Sequence, residues 1–100
     1  MADKLYLYNP TQNLQVDTGK GHLAGVIITC DDQAAAGAVT IYDYAGGGPP
    51  SEKIFEVVVT APIPIIIFFN DRYAPRFQDG LWLISTDHVY VTMYAHMPST

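Results

Sequence analysis

The chain has 100 residues, of which 15% are charged and 49% hydrophobic, and its ten acidic against five basic residues give a net charge of −5. An ordinary domain carries about 25% charge, so a lone copy of this one is expected to leave apolar surface in water, the usual mark of an association site. Lys4, Lys20, Lys53, Arg72 and Arg76 are scattered, which excludes the phosphate neutralisation that nucleic-acid binding requires.

Met1-Ala2-Asp3-Lys4 lacks the n-region and h-region of a signal peptide, and no run approaches the ~20 apolar residues of a membrane-spanning helix. No membrane partner is expected. Runs rich in Val, Ile, Thr, Tyr and Phe recur between turn signals, the pattern of an all-β chain. Strands are expected near Lys4–Tyr8, Gly21–Cys30, Gly37–Tyr44, Lys53–Thr60, Ile63–Phe69, Leu81–Ser85 and Val89–Ala95, with Leu14–Asp17 as the candidate eighth. The only helix-favouring stretch, Gln33-Ala34-Ala35-Ala36, is cut short by Gly37.

Alternation assigns faces. Val39 and Ile41 oppose Thr40 and Tyr42, and Val89, Val91 and Met93 oppose Tyr90, Thr92 and Tyr94. Ile65–Phe69 does not alternate, so it is expected to be buried on both faces, between two sheets or beneath another subunit. Pro62 and Pro64 belong at a strand entrance or sheet edge. Asn9–Asn13, Asp31-Asp32-Gln33 and Ala45–Ser51 read as turns or loops, and Asn70–Gly80 reads as a long connection holding both arginines. The whole, residues 1–100, is expected to be one β-sandwich or jelly-roll-like domain of seven to eight short strands, with a short flexible tail from about residue 96.

Candidate chemistry is sparse. Asp17-Thr18-Gly19 matches the aspartic-protease triplet, in which two carboxylates share a proton across a homodimer. Here Lys20-Gly21 follows where that family has a small residue, so a polar turn is the stronger reading. Gly19-Lys20-Gly21 lacks the rest of a phosphate-binding loop. His22, His88 and His96 have no metal-ligand spacing with Cys30, and the aspartates form no calcium loop. Catalytic residues, metal and cofactor are therefore all expected to be none. Cys30, the one cysteine, is expected to be a buried thiol. Tyr6 and Tyr8, Tyr42 and Tyr44, and Tyr90 and Tyr94 are same-face pairs. They suit a subunit contact better than a sugar-stacking platform.

Four segments follow one another in a familiar order: Gly21-His22-Leu23-Ala24-Gly25-Val26-Ile27-Ile28, Ala36-Gly37-Ala38-Val39-Thr40-Ile41-Tyr42-Asp43, Phe77-Gln78-Asp79-Gly80-Leu81-Trp82-Leu83-Ile84 and Val89-Tyr90-Val91-Thr92-Met93-Tyr94. From about Gly19 to Ala95 the chain resembles small structural proteins of tailed bacteriophage virions. The resemblance implies a non-enzymatic capsid decoration or cement protein, a homotrimer that binds the major capsid protein lattice and resides in the virion after assembly in the host cytoplasm. Ile65, Ile67, Phe69, Tyr42 and Tyr44 are the expected contact residues, and Arg72 and Arg76 the expected partners of acidic capsid surface. The alternatives are a tail or head–tail connector ring subunit, a carbohydrate-binding module, and a dimeric aspartic protease through Asp17.

Overall fold

A computed structural model describes residues 2–30, 37–46, 52–59, 64–70 and 72–97. The expected Asp31-Asp32-Gln33 tip, the Gln33–Ala36 stretch, Pro62 and most of the Ala45–Ser51 loop lie outside the described residues. The described residues form nine strands: β1 (Ala2–Tyr8), β2 (Asn13–Thr18), β3 (Gly21–Cys30), β4 (Gly37–Asp43), β5 (Lys53–Val59), β6 (Ile65–Phe68), β7 (Arg76–Phe77), β8 (Gly80–Ser85) and β9 (Val89–Met97). They make two antiparallel sheets packed face to face, compatible with a β-sandwich. The strand around Leu14–Asp17 is present as β2, and the long connection 70–80 contains the two-residue β7.

Sheet A runs β1-β9-β3-β6, with β7 pairing the N-terminal end of β3 beside β6; sheet B runs β2-β8-β4-β5. The chain crosses repeatedly between the two sheets, and the side-chain alternation of each strand then sends one face into a shared core. Leu23, Val26 and Ile28 of β3, with Val89, Val91, Met93 and Ala95 of β9, meet Val39, Ile41, Leu81 and Leu83 from sheet B. Phe77 fills one end of this core, and Cys30 is buried with it. A bulge between Leu23 and Gly25 keeps Leu23 facing inward while changing the register against β9.

The turn that carries the chain from β7 in sheet A to β8 in sheet B is anchored by Asp43, the last residue of β4. Its carboxylate accepts hydrogen bonds from the backbone N–H groups of Gln78 (2.9 Å) and Asp79 (2.8 Å), with a longer one from Gly80 (3.4 Å). Gly80 must be glycine for a steric reason, since a Cβ there would lie 2.6 Å from the Asp17 carbonyl oxygen and 2.7 Å from Gln15 Nε2.

A second clasp joins the sheets at the other edge. Asp17 of β2 accepts from the Tyr6 hydroxyl and from Lys4 Nζ at 3.2 Å, both on β1, and from its neighbour's backbone N–H at Thr18. Asp17 thus belongs to the candidate strand Leu14–Asp17 rather than to a polar turn, and it is an inter-sheet anchor. Burial pushes its carboxyl pKa up, but the three donors outweigh burial and hold it below the usual carboxylate range. The same arrangement raises the Tyr6 pKa, through burial first and the hydrogen bond to Asp17 second. Tyr8 is raised too, by burial and then by the Asp17 charge.

Candidate association surface

The outer face of each sheet follows from register, because residues directly opposite on neighbouring strands share a face. On sheet B the rows read Gln15–Trp82–Tyr42–Lys53 and Asn13–Ile84–Thr40–Glu56. This surface satisfies itself. Trp82 Nε1 donates to Asn13 Oδ1 at 2.7 Å, Lys53 pairs with Glu56 at 3.2 Å, and Thr40 Oγ1 lies 3.4 Å from the same carboxylate. Gln15 Nε2 reaches the carbonyls of Asp17, Tyr44 and Leu81. Tyr44 packs edge-on against Trp82.

Sheet A is built differently. Its rows read Leu5–Tyr94–Gly25–Phe68 and Leu7–Thr92–Ile27–Ile66, followed by Tyr90 beside Thr29. No charged residue stands in any of these rows. The outer strands are the most exposed: Leu7 keeps 71% of its surface in solvent, Phe68 67%, Ile66 59% and Leu5 51%. Phe68 lies over Gly25, where a Cβ would come 2.6 Å from the ring, and its ring faces Tyr94 with centroids 6.3 Å apart. Gly25 therefore makes room for an aromatic ring to lie flat on the sheet, as glycine does where a neighbouring side chain covers a strand. With strands about 4.8 Å apart and same-face residues about 6.8 Å apart, the two full rows with Tyr90 and Thr29 cover about 330 Å². A patch of this size is of the order of the largest apolar patch on a soluble monomer, which is often functional.

The expected contact residues fall on different surfaces. Ile65 and Ile67 pair with Ile28 and Val26, so they face inward, and Ile65 and Phe69 pack against the core, with Phe69 edge-on to Phe55. The residues that β6 turns outward are Ile66 and Phe68. Among the described residues β6 pairs with β3 alone, so within one copy it is an edge strand with one face in water; burial between two sheets is overturned, and burial beneath another subunit is the part of the expectation that stands open. Tyr42 and Tyr44 lie on the outer surface of sheet B. Arg72 is exposed in a turn whose N–H groups at 72 and 73 donate to Asn70 Oδ1. Arg76, on β7, stands apart from it at the end of sheet A. The tyrosines do not gather: Tyr6 and Tyr8 pack against the core, Tyr90 and Tyr94 face out from sheet A, and Tyr42 and Tyr44 from sheet B.

Leu5, Leu7, Ile27, Ile66 and Phe68 are the surface residues that periodicity alone did not single out. Their signal was the alternation Leu5-Tyr6-Leu7-Tyr8, apolar on both faces, which marks a strand with no polar side to give to water. Among the described residues no cluster of three or more His, Cys, Asp or Glu is placed to hold a metal ion, and no helix is long and apolar enough to cross a membrane. At Asp17, three hydrogen-bond donors that favour the ionised carboxylate disfavour the shared proton of a carboxylate dyad. No protein-family model matches the chain, and no curated protein matches its sequence.

Proposed function

We propose that this chain is a non-enzymatic structural protein that works by adhesion, burying the outer face of sheet A against copies of itself and against a lattice of partner subunits. The observation that carries the reading is the contrast between the two outer faces. On sheet B hydrogen-bonded and charged side chains stand among Trp82, Tyr42 and Ile84, with Val58 exposed at the edge, while sheet A presents rows with no charge across all four strands. The setting we propose is the head of a tailed phage, as a decoration protein on the major capsid protein, and this rests on the sequence resemblance from Gly19 to Ala95.

The magnitude fits a multivalent role. A standard stable interface takes about 800 Å² per partner, more than twice what the face offers, and association itself costs about 4–15 kcal/mol. One such contact binds transiently; an oligomer that makes several at once binds far more tightly. The strand directions supply a route to such an oligomer. β1 and β6, at opposite edges of sheet A, run antiparallel to each other. Head-to-tail pairing of β6 with β1 of the next copy would continue the sheet and its apolar rows. The same geometry favours, as second reading, a tail or head–tail connector ring subunit.

Cosedimentation with purified heads that lack the chain tests the assignment. Leu7→Lys plus Phe68→Lys should abolish occupancy, whereas Tyr42→Ala plus Tyr44→Ala should retain it. Unchanged occupancy of the first variant would refute the face, and cosedimentation with tails alone would shift the reading to the ring subunit.

A further inference from the structure

We propose that copies of the chain join through a main-chain ladder in one register, β6 of one copy pairing with β1 of the next so that Leu5 stands opposite Phe68 and Leu7 opposite Ile66. This deepens the adhesion reading and rests on it for the partner, a second copy.

The two sheets treat their edges differently. In sheet B the pairing of β2 with β8 shifts register between Gln15 and Asp17, and that of β4 with β5 shifts between Ile41 and Tyr42. Bulges of this kind, with the charges of Lys53 and Glu56 on β5, are ordinary guards of an open strand edge. In sheet A the seven residues of β1 pair with β9, and the four of β6 with β3, without a shift. Among the described residues each has a neighbouring strand on one side only. No charged residue occurs in 5–8 or in 65–68.

Hydrogen-bond parity fixes which backbone groups these edges offer. The N–H of Phe69 donates to the Ala24 carbonyl at 3.0 Å. Ile67 and Ile65 therefore also spend their backbone groups on β3, and Ile66 and Phe68 turn theirs to the open side. The alternation carries across the sheet. Gly25 and Ile27 bond to Tyr94 and Thr92, which leaves Met93 and Val91 to bond Tyr6 and Tyr8. Leu5 and Leu7 thus face the open side of β1. The residues that offer free backbone groups are the same ones that end the apolar rows, Leu5 and Phe68 in one row, Leu7 and Ile66 in the other.

The proposed register lets each pair exchange both its hydrogen bonds and runs both rows unbroken into the next copy. A slip of one residue would aim outward groups at inward ones and turn the side chains to the other face. A slip of two sets Leu7 opposite Pro64, which has no N–H, or Ile66 opposite Asn9. β1 and β6 are therefore matched in direction, in parity and in the rows they end, which makes a second copy the fitting occupant. The outer face alone falls well short of the about 800 Å² per partner of a stable interface, and the ladder adds main-chain hydrogen bonds to it. Twofold pairing of β1 with β1, or of β6 with β6, covers one edge and leaves the other open; the head-to-tail join covers both in a closed ring.

Disulfide trapping with variants that each add one cysteine tests this. Residues opposite each other in a hydrogen-bonded pair lie about 5.5 Å apart between Cα atoms, within reach of a disulfide, whereas a residue two positions off lies about 9 Å away, beyond it. Leu5→Cys mixed with Phe68→Cys should give a disulfide-linked dimer under mild oxidation. Either variant alone, Leu7→Cys mixed with Phe68→Cys, and the wild type with its buried Cys30 should give none. Ile66→Pro, which removes an N–H aimed away from β3, should return the chain to monomer in light scattering with its circular dichroism unchanged. Efficient linking of either variant to itself, or of Leu7→Cys to Phe68→Cys, would overturn the proposal. An oligomer that Leu7→Lys plus Phe68→Lys breaks, but that yields no link between positions 5 and 68, overturns the ladder and leaves the adhesive face standing. A chain that stays monomeric overturns both.

Discussion

Removing the Asp43 carboxylate should destabilise the protein by about 2–3 kcal/mol, and the structure shows why. Asp43 ends β4 in sheet B and receives the N–H groups of the turn that brings β7 of sheet A round to β8. Two of its hydrogen bonds are short, at 2.9 and 2.8 Å, and the third, at 3.4 Å, is too long to count for much. A hydrogen bond to a charged group contributes about 1.5–3 kcal/mol. Gln78 and Asp79 are exposed, so water can replace the lost acceptor there, and the low end of the range applies to each short bond. For a domain whose whole stability is about 5–15 kcal/mol, this is a large fraction. Asp43→Asn keeps one acceptor oxygen and should lose about half as much. Urea unfolding followed by the fluorescence of the single tryptophan, Trp82, is a suitable assay, because that ring contacts Tyr44 and Asn13 only in the folded state. With a slope of about 1–2 kcal/mol per M for a chain this size, the Asp43→Ala midpoint should fall by about 1–3 M at unchanged slope. A loss below about 0.5 kcal/mol, the ordinary range for a surface substitution, would refute the anchoring role.

Other substitutions test other joints. Gly25→Ala puts a Cβ 2.6 Å from the Phe68 ring; the ring must leave the sheet, costing about 1–3 kcal/mol, and a thermal melt should show the loss while Phe68→Ala made alongside it restores part. Phe77→Ala empties a fully buried site and should cost about 3–5 kcal/mol in the urea assay. Asp17 has its folded pKa below the unfolded one, so its stabilisation is present above the unfolded pKa and is lost as pH falls through the folded value. Between about pH 7 and pH 3 the wild type should therefore lose more melting temperature than Asp17→Asn; equal losses would deny the clasp.

What could be read from the sequence and what could not divides along physical lines. Strand positions were legible because β-branched and aromatic runs separated by Gly, Pro and Asn carry local information: Gly21–Cys30, with the same bounds, is β3. Face assignment within a strand was legible too, since Val89, Val91 and Met93 alternate with Tyr90, Thr92 and Tyr94 and are the buried set. Which sheet a strand joins, and whether it lies at an edge, depends on pairing partners distant in sequence. Ile65–Phe68 illustrates this. An uninterrupted apolar run reads as a strand buried on both faces, yet among the described residues it pairs with β3 alone, and within one copy Ile66 and Phe68 face water. The same blindness hid the match between the two edges, because the backbone groups that β1 and β6 turn outward follow only from the registers of β1, β9, β3 and β6.

The claim at the centre of this account is that the outer face of sheet A is an adhesive surface. Light scattering after size exclusion, run as a concentration series, tests it most directly. The wild type should have the native mass of an oligomer, with a trimer the expected species, and Leu7→Lys plus Phe68→Lys should return it to the monomer with its strand content intact. A wild type that stays monomeric across the series, or an oligomer that the two lysines leave undisturbed, would contradict the account.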